Sequence, residues 1–530
     1  MFSKLLLFAA LALVGGKYFP APVLGQWGTF VVALSLEIAI NLVAVCWLWP
    51  SVLSPLRKIP GPKGGSFLFG HGLEELGRAT GVLAWEWGKE IAHTDFLRCT
   101  GFFGEEKLLP MSPSAVRQIV NNEDMKWPDG FREALGPMLG DGLVLAEGPR
   151  HRRMKKALGP AFTPSQQRRL VPDMWKQVQR FRSKLLSIVD DAPHGVAELN
   201  MLDWTNYCTF DILGATQWGA DFKGIEDPSH FYDLFDRNFP IEGHKGWDAF
   251  CVYVLPLFVN HTLLNKLPIK KYQEQLKDRR HMNERYRQFM EERKSKDMST
   301  DGEGTHKDML SVMLNTKDLT DYDLIENAMT FTAAGFGTNA ATLIWAIYVL
   351  ATRPLVAARL RAAVRQAVPD PALPLSSAQL DSIAYLHHFV MEVTRLYPSI
   401  PNSWKQAAAP TTVAGVPIPK GTQLTIPTFA INRSPAVWGP DADDFVPERW
   451  APENRRAGME TNGSYLTFSM GAKSCIGKEY ALRALKAVVV GLVGSFDFAY
   501  DGPDPLADLV PGLTLRPRGG LVVRVSRAEE

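Results

Sequence analysis

The sequence is short of cysteine and has little excess of charge of either sign. Its five cysteines are scattered over 530 residues, odd in number and without a Cys-x-x-Cys pair. This argues against a disulfide scaffold or a zinc cluster and favours a reducing compartment. The net charge is +2, so the balance does not indicate nucleic acid or an acidic polymer as a partner. No long Gly/Ser-rich linker divides the chain, and its 46% of hydrophobic residues allow a large globular core.

Two apolar stretches stand at the N-terminus, at 5–14 and from Thr29 to Trp49. The second is about as long as a helix that crosses a bilayer, and basic residues follow it from Arg57 to Lys63, as on the cytoplasmic side of a span. We therefore predict a membrane anchor over residues 1–58, with a span at about 29–49 and a second one possible at 5–15. The folded body, 59–530, would face the cytosol. A cleaved signal peptide is the alternative for the first stretch.

One cysteine lies in a glycine-containing loop directly before a predicted helix. The loop runs from Phe468 to Gly477, with Cys475 near its end, and the helix continues to about Val493. A thiolate there is close to the positive end of the helix dipole, which favours its charged form. The glycines let the backbone approach a large flat ligand. The pattern is typical of one cysteine binding one metal, as in haem-thiolate proteins; a buried free cysteine is the alternative.

A long apolar helix is predicted from Thr320, its N-cap, to about Thr352. Gly335 and Gly337 lie in its middle, where each costs roughly 1 kcal/mol against alanine. Close approach to a flat ligand is one compensation, and packing of small residues against another helix is the alternative. The Thr338 hydroxyl can donate to the Ala334 carbonyl, which would bend the helix and open a groove.

Two charged motifs follow this helix. Glu392 and Arg395 are one helical turn apart among apolar neighbours, and Pro447 to Trp450, which includes Arg449, comes later. An exposed pair with this spacing contributes little, whereas losing one partner of a buried pair costs on the order of 3–5 kcal/mol. The motif Glu-x-x-Arg is common in proteins and says little by itself. It becomes informative here because it lies between the long helix and the Arg449 motif.

In this order, the motifs resemble those of the cytochromes P450, and the resemblance starts at a proline-rich hinge, Pro60 to Gly64. It implies a mainly α fold with a small β region, preceded by the anchor, and haem b (iron protoporphyrin IX) bound through the Cys475 sulfur. It also implies a monooxygenase that inserts one oxygen atom from O2 into a lipophilic small molecule. Electrons would come from an NADPH-dependent flavoprotein reductase. The overall style is similar to membrane-bound fungal members, which indicates secondary-metabolite biosynthesis at the endoplasmic reticulum membrane.

The resemblance also assigns roles residue by residue. Cys475 is the metal ligand and Thr338 the catalytic alcohol, while Glu392, Arg395 and Arg449 form a structural network behind the cysteine loop. The residues expected to bind the haem are His151, Lys155, Lys405, Phe468, Lys473 and Gly335. The residues expected to line the substrate pocket are Ile400, Pro401, Asn402, Phe331 and Ala334.

The sequence departs from the family pattern in two respects. Lys155, Lys405 and Lys473 stand where the family habitually has arginine, which keeps the charge but loses the bidentate fork. Gly337 stands where the family has a carboxylate before the threonine, so proton delivery would use water or another side chain. This second departure supports a rival function, a haem-thiolate isomerase or dehydratase that does not use O2. A non-catalytic haem-binding module is a third, opposed by the long glycine-containing loop at 126–147.

Two surfaces are predicted to meet other molecules. Basic residues near the cysteine loop would form a dish for the acidic reductase, or else be scattered solvated charge. They are Arg152, Lys156, Lys478, Arg483 and Lys486. The apolar segment from Gly246 to Leu264 is either ordinary core or, by its position, a lid that dips into the membrane and admits lipophilic substrates.

Overall fold

The computed structural model describes residues 25–229, 232–233, 237, 269–299, 308–316, 318–454 and 458–529. The apolar stretch at 5–14 and the predicted lid at 246–264 lie outside these residues. Helix α1 (Gly25–Val43) continues as a π-helical segment, Ala44–Leu53. The stretch Val31–Leu53 is long and apolar enough to cross a membrane and is 0% buried. It therefore passes through Pro50, before which the sequence-based span had ended.

The remaining helices fall in two groups along the chain. The first group is α2 (Gly72–Gly77), α3 (Val82–Glu90), α4 (Pro113–Val120), α5 (Phe131–Leu139), α6 (Gly148–Leu158), α7 (Pro164–Arg169), α8 (Val171–Asp191) and α9 (Met201–Leu213). The second group is α10 (Lys270–Ser299), α11 (Met309–Leu314), α12 (Asp321–Gly335), α13 (Gly337–Thr352), α14 (Pro354–Ala367), α15 (Ser377–Ser382), α16 (Ala384–Leu396), α17 (Thr428–Ile431), α18 (Pro435–Trp438) and α19 (Lys478–Val493).

In the described part of the chain the strands are short and form three small sheets. They are β1 (Phe96–Thr100), β2 (Glu106–Pro110), β3 (Met125–Lys126), β4 (Val196–Asn200), β5 (Ser403–Ala407), β6 (Thr411–Val413), β7 (Val416–Ile418), β8 (Gln423–Ile426), β9 (Phe496–Ala499) and β10 (Val522–Arg527). The largest sheet has the order β1-β2-β8-β5-β3, in which only β2 and β8 run parallel. A second sheet has the order β4-β10-β9, and β6 pairs with β7. The architecture is the predicted one, mainly α with a small β region.

The core lies where α8, α9, α13 and α19 pack together. Trp175, Phe210 and Trp345 are among its fully buried side chains, and Trp345 stacks on Tyr397 with ring centroids 4.6 Å apart. Since α12 and α13 run through this core and are 67% buried, their apolar sequence reflects core packing rather than a second membrane span.

Two local predictions need correction. The segment 126–147 is predicted as a loop, but it contains the helix α5. Pro137 lies inside this helix without ending it. The stretch from Gly519 to Val525, with Leu513 and Leu515 before it, suggests a terminal hairpin by its sequence, but the structure has a non-local arrangement instead. There β10 pairs antiparallel with β4 and β9, strands from distant parts of the chain that local turn signals do not identify.

Candidate cofactor and active site

The loop from Phe468 to Gly477 is closed at its base. The Cys475 N–H donates to the carbonyl of Phe468 at 2.8 Å, so the aromatic residue and the cysteine are held together across the turn. A 3-10 turn, Gly471–Lys473, forms the rim, and α19 begins three residues after the cysteine. The Cys475 side chain is exposed and forms no disulfide. The loop therefore presents one thiol at its surface.

The helix dipole alone predicts a lowered pKa for the Cys475 thiol, but in the structure this pKa is raised. Protein atoms crowded around the sulfur raise its pKa, because they limit the solvation of a thiolate. The Gly477 N–H and the ammonium groups of Lys155 and Lys478 act in the opposite direction but do not outweigh this loss of solvation. In the protein alone the thiol is therefore the favoured form, and a bound metal ion would supply the charge that deprotonates it.

The structure brings Glu392, Arg395 and Arg449 into one buried network. Glu392 and Arg395 have side chains that are 0% exposed, and two N–H groups of Arg395 donate to the two carboxylate oxygens at 2.7 and 2.8 Å. The same carboxylate accepts from Arg449 Nε at 3.4 Å and from Trp450 Nε1 at 2.9 Å. The other N–H groups of Arg395 donate to three backbone carbonyls. Every charge in the network thus has a partner inside the protein.

Helix α16, which carries this network, also holds the start of the cysteine loop. The Thr467 hydroxyl donates to the carbonyl of Thr394 at 2.7 Å. Asn432 donates to the carbonyl of Arg395 at 3.0 Å and accepts from the Leu466 N–H at 2.9 Å. Sequence reasoning missed Asn432 because it lies in no motif. The loop therefore takes its position from the same helix that carries the ion pair.

A second charged cluster lies on the other side of the loop and consists of His151, Lys155, Lys405 and Lys473. Lys155 Nζ donates to the carbonyl of Ala472 at 2.6 Å, and Lys473 Nζ donates to the carbonyl of Ala146. The Lys405 side chain is buried and lies over the ring of Trp127, 5.5 Å from its centroid. Lys155 and Lys473 thus lie at the rim of the cysteine loop, and His151 and Lys405 are near enough to interact electrostatically with Lys473.

The positive charge of this cluster exceeds the negative charge of the residues around it. Burial and the neighbouring lysines lower the pKa of Lys473 to about 8 and that of His151 to about 4, and burial also lowers the pKa of Lys405 and Lys155. Among the described residues, the carboxylate that acts on Lys405 and Lys473 is Glu147. Sequence reasoning missed Glu147, which lies in the loop before α6 and accepts from the Trp127 N–H at 2.7 Å. An anionic ligand would relieve this repulsion.

The long helix is broken where the sequence predicted a bend. Helix α12 begins with a capping box at Thr320 and ends at Gly335, and α13 begins at Gly337. The Thr338 hydroxyl donates to the carbonyl of Ala334 at 2.7 Å, and the Asn339 amide donates to the carbonyl of Gly335 at 2.8 Å. Side chains thus satisfy carbonyl groups next to the break. Ala334 is exposed although the helix on either side is largely buried.

The two glycines at the break have different surroundings. A Cβ atom on Gly335 would overlap the side chain of Leu213 on α9, so helix packing already explains why this position lacks a side chain. A Cβ atom on Gly337 would have no heavy atom within 4 Å. The predicted contact of Gly335 with the cofactor stays a prediction, and Gly337 is the glycine that faces open space.

The five residues predicted to line a substrate pocket do not share one environment. Phe331 is buried and packs edge-on against Phe162, with ring centroids 5.1 Å apart. Pro401 and Asn402 are buried against Gly81, whose N–H bonds to the Asn402 amide at 3.2 Å in the orientation that satisfies both groups. These contacts are structural. Ala334 and the half-buried Ile400 are the two whose exposure fits a pocket.

The glycine-containing loop between α5 and α6 is fastened to α12. Leu143 N–H donates to the Asn327 side chain at 2.9 Å, and the Thr330 hydroxyl donates to the carbonyl of Leu139 at 2.6 Å. Cβ atoms on Gly140 and Gly142 would collide with the backbone of α12 at Glu326. The glycines therefore serve close packing of this loop onto the helix.

The predicted basic dish is only partly on the surface. Arg152 and Lys156 are exposed. Arg483 is a wrong member, because its side chain is 8% exposed and pairs with Asp381 of α15 at 3.1 Å. Lys478 pairs with Glu460 at 3.1 Å. Lys478 and Lys486 are half-buried. Arg152 and Lys156 of α6 are therefore the exposed members of the predicted dish.

Known proteins resemble this chain over most of its length. The family model for cytochrome P450 matches residues 101–523. The cytochrome P450 monooxygenase sphH of Aspergillus fumigatus is 31% identical over 515 residues, which cover 94% of each chain. The cytochrome P450 monooxygenase ptmK of Penicillium ochrochloron is 30% identical over 90% of this chain and 95% of its own.

The fold agrees as well. The crystal structure of the cytochrome P450DA heme domain superposes with a TM-score of 0.72 over 89% of this chain and 98% of that chain, at 22% identity. The sequence match and the placement of the cysteine loop against the buried Glu392 network lead to the same conclusion. This chain belongs to the cytochrome P450 family and is a cytochrome P450 monooxygenase.

Proposed function

We propose that this protein is a membrane-anchored monooxygenase that inserts one oxygen atom from O2 into a lipophilic small molecule, in fungal secondary metabolism. Residues 1–58 would anchor it in the endoplasmic reticulum membrane, and residues 59–530 would form the catalytic domain on the cytosolic side. Electrons would come from an NADPH-dependent flavoprotein reductase. The family membership, the apolar span and the basic residues from Arg57 to Lys63 that follow it support this proposal.

The observation that carries the proposal is the donor set around the cysteine loop, which fits haem b. The exposed thiol of this loop, Cys475, is the kind of ligand that haem-thiolate proteins use. Beside it, three lysines and His151 face one offsetting carboxylate, Glu147. The two propionate groups of haem b carry the negative charge that this cluster lacks. Lys155, Lys405 and Lys473 would hold them as point charges, with Phe468 packed near the thiol.

A bound haem would supply an iron atom whose thiolate ligand donates electron density and favours cleavage of the O–O bond of dioxygen. The protein's own contribution to the chemistry of dioxygen would be the break between α12 and α13, which carries Thr338. Because the Thr338 hydroxyl donates its hydrogen bond to the carbonyl of Ala334, its oxygen lone pairs are left to accept a hydrogen bond from water. With glycine at 337, the proton that reaches Thr338 would come through water in the open space beside that residue.

The ligand assignment is tested by replacing Cys475 with alanine. The reduced protein should then lose the carbonyl spectrum typical of thiolate ligation, because no other side chain in the loop can form a thiolate. Cys99→Ala is the matched control, since Cys99 is buried in β1 and its loss should leave the spectrum unchanged. A thiolate spectrum that survives in the Cys475 variant would contradict the assignment.

The missing carboxylate at Gly337 keeps one rival, a haem-thiolate isomerase or dehydratase, worth a direct test. Membranes containing the protein and its reductase would be supplied with NADPH, labelled O2 and a panel of lipophilic precursors. Incorporation of one labelled oxygen atom per product, with matching NADPH consumption, is expected for the monooxygenase. Product formation without label or NADPH use would favour the rival. The same panel identifies the substrate.

A further inference from the structure

The segment that follows helix α9 lies against the broken helix. It is π-helical, Gly214–Trp218, and insertions of this kind are frequent at functional sites. A Cβ atom on Gly335 would lie 2.3 Å from Leu213 Cδ1 and 3.2 Å from Gln217 Nε2. The side chain of Gln217 is therefore next to the last residue of α12, at the point where the long helix breaks.

Buried contacts hold the π-helical segment from two sides. Thr216 Oγ1 donates to the carbonyl of Ile212 at 2.6 Å, and it lies 3.0 Å from Tyr480 Oη of α19. Because the Thr216 hydroxyl has one hydrogen, Tyr480 is the donor in this second bond. At the other end, the carbonyl of Trp218 accepts from Arg293 of α10 at 3.4 Å. The backbone on either side of Gln217 is thus held by α19 and by α10.

Gln217 is a buried amide whose oxygen lacks a donor. The residue is 5% exposed, and no group in the described part of the chain donates a hydrogen bond to its Oε1. Leaving a buried acceptor without a donor is costly, and most buried polar atoms in native proteins bond to protein or to ordered water. Gln217 Oε1 is therefore a place where a hydrogen-bond donor would bind.

The Thr338 hydroxyl belongs to the helix face beside Gln217. On a helix, the residues three and four positions after Gly335 stack over it, and these are Thr338 and Asn339. Their side chains donate to the carbonyls of Ala334 and Gly335 at 2.7 and 2.8 Å, so this stacking persists across the break. Gln217, which lies beside Gly335, thus adjoins the polar face that carries the Thr338 hydroxyl.

The open space beside Gly337 lacks a comparable side chain. Gly337 is two residues from Gly335, so the two positions are about 200° apart around the helix axis. A Cβ atom on Gly337 would have no heavy atom within 4 Å, so in the described part of the chain no polar group is that close to hold a water molecule. Of the two glycines, Gly335 is the one with a buried polar side chain next to it.

We propose that Gln217 is a positioning residue for proton supply. Its Oε1 accepts a hydrogen bond from a water molecule at the helix break, and this water donates its other hydrogen to the Thr338 hydroxyl oxygen. The reaction consumes O2, two electrons and two protons, and it forms one inserted oxygen atom and one water molecule. The amide of Gln217 neither gains nor loses a proton. The inference rests on the proposed monooxygenase function, and it names the residue that takes the place of the carboxylate missing at Gly337.

The test compares three variants of the full-length holoenzyme with the wild type. Gln217→Met keeps the size of the side chain and removes the amide, whereas Gln217→Glu keeps an acceptor oxygen. Asn206→Leu is the matched control, because Asn206 is a buried amide on α9 that donates to the carbonyl of Leu202 within the same helix at 2.8 Å. The proteins receive reductase, NADPH and the substrate found in the precursor panel.

The first readout is the hydrogen peroxide released per NADPH consumed. We expect it to rise roughly threefold or more in Gln217→Met, because protons reach Thr338 less efficiently, and to stay near the wild-type level in the other two variants. The second readout does not depend on turnover. In a high-resolution crystal structure of the haem-bound wild type, a water oxygen should lie within about 3.2 Å of Gln217 Oε1. Any other partner of this atom, or none, would overturn the proposal.

The outcomes separate this inference from the proposed function. A wild type that forms no labelled product would contradict the monooxygenase function and the inference with it. A coupled wild type and an unchanged peroxide yield in Gln217→Met would overturn only the role of Gln217. An equal rise in Gln217→Glu or in Asn206→Leu would also overturn it, since packing of α9 would then explain the effect. If Gln217→Met does not keep its haem spectrum, Gln217→Asn, whose amide is shorter, replaces it.

Discussion

Two charged clusters flank the cysteine loop, and they treat charge in opposite ways. Around Glu392, arginine is used and each guanidinium or carboxylate group meets a partner inside the protein. Around Lys405 and Lys473, lysine is used and positive charge exceeds the negative charge of Glu147. The rigid arginine fork suits partners with a fixed position, whereas lysine supplies a point charge on a flexible chain. The first cluster is complete without a ligand, and the second is complete only with an anion.

The largest effect is expected from breaking the first cluster. Glu392→Ala leaves Arg395 buried without its carboxylate, which costs on the order of 3–5 kcal/mol, a large part of the stability of a typical protein. The free energy of unfolding in denaturant and the yield of haem protein should both fall. Glu448→Ala is the control, because it breaks an exposed pair with Arg359 and should cost less than about 1 kcal/mol. Equal losses in the two variants would contradict the argument.

The second cluster should respond to charge removal by losing the ligand rather than the fold. Lys405→Met removes a buried cation, so a charge-assisted hydrogen bond to a propionate of roughly 1.5–3 kcal/mol is lost. The rate of haem transfer to apomyoglobin should rise about 10- to 100-fold, while the yield of folded protein stays near that of the wild type. Lys156→Met, an exposed lysine on α6, should leave the transfer rate unchanged. A slow transfer from the Lys405 variant would count against the anion site.

The pH dependence of stability sharpens the same contrast. Burial and the lysines lower the pKa of His151 to about 4, against about 6.5 in an unfolded chain. Below pH 6.5 the unfolded chain therefore binds a proton that the folded chain does not, and stability falls as the pH drops toward 4. Between pH 7 and 5 the haem-free protein should lose about 2 kcal/mol.

His151→Gln provides the control for this prediction, since glutamine does not titrate. The free energy of unfolding of the variant should lack this loss between pH 7 and 5. In the haem-bound protein the loss should also shrink, because the propionates would offset the charge of the imidazolium. Equal losses in wild type and variant would show that another group is responsible.

The smallest effects are expected at the two glycines of the helix break. One of them is already packed against protein, whereas the other faces open space. Gly337→Ala should be tolerated and stabilise by up to about 1 kcal/mol, because its surroundings are open. Gly335→Ala should destabilise, because the new methyl group meets Leu213. Thermal unfolding of the two variants measures the difference. A destabilised Gly337 variant would show that this space is already filled by protein.

Motifs whose geometry is local could be predicted from the sequence. The bond from Thr338 to Ala334 follows from a spacing of four residues on a helix, and the pair of Glu392 and Arg395 from a spacing of three. Non-local packing could not be predicted. The burial of Arg483 depends on Asp381 of α15, and the lack of a side chain at Gly335 depends on Leu213 of α9. Glu147 and Asn432 belong to no motif, so only the structure associates them with the site.

The continuation of the anchor helix past Pro50 was missed for a related reason. A proline predicts the end of a helix from its own geometry, but the π-helical segment 44–53 accommodates it. The Pro50 carbonyl accepts a hydrogen bond from Arg98 of β1 at 2.6 Å. Distant contacts thus overrule a strong local signal, which is the usual limit of reasoning from neighbours along the chain.

The loop between α5 and α6 has a consequence for protein engineering. Because its backbone is bonded to Asn327 and Thr330 and its glycines leave no room for a methyl group, randomising positions 140 and 142 would mostly yield unfolded clones. A library meant to change substrate choice would do better with Ala334 and Ile400, whose side chains are not fully packed. Useful variants should therefore come from positions whose backbone is not held by such hydrogen bonds and close packing.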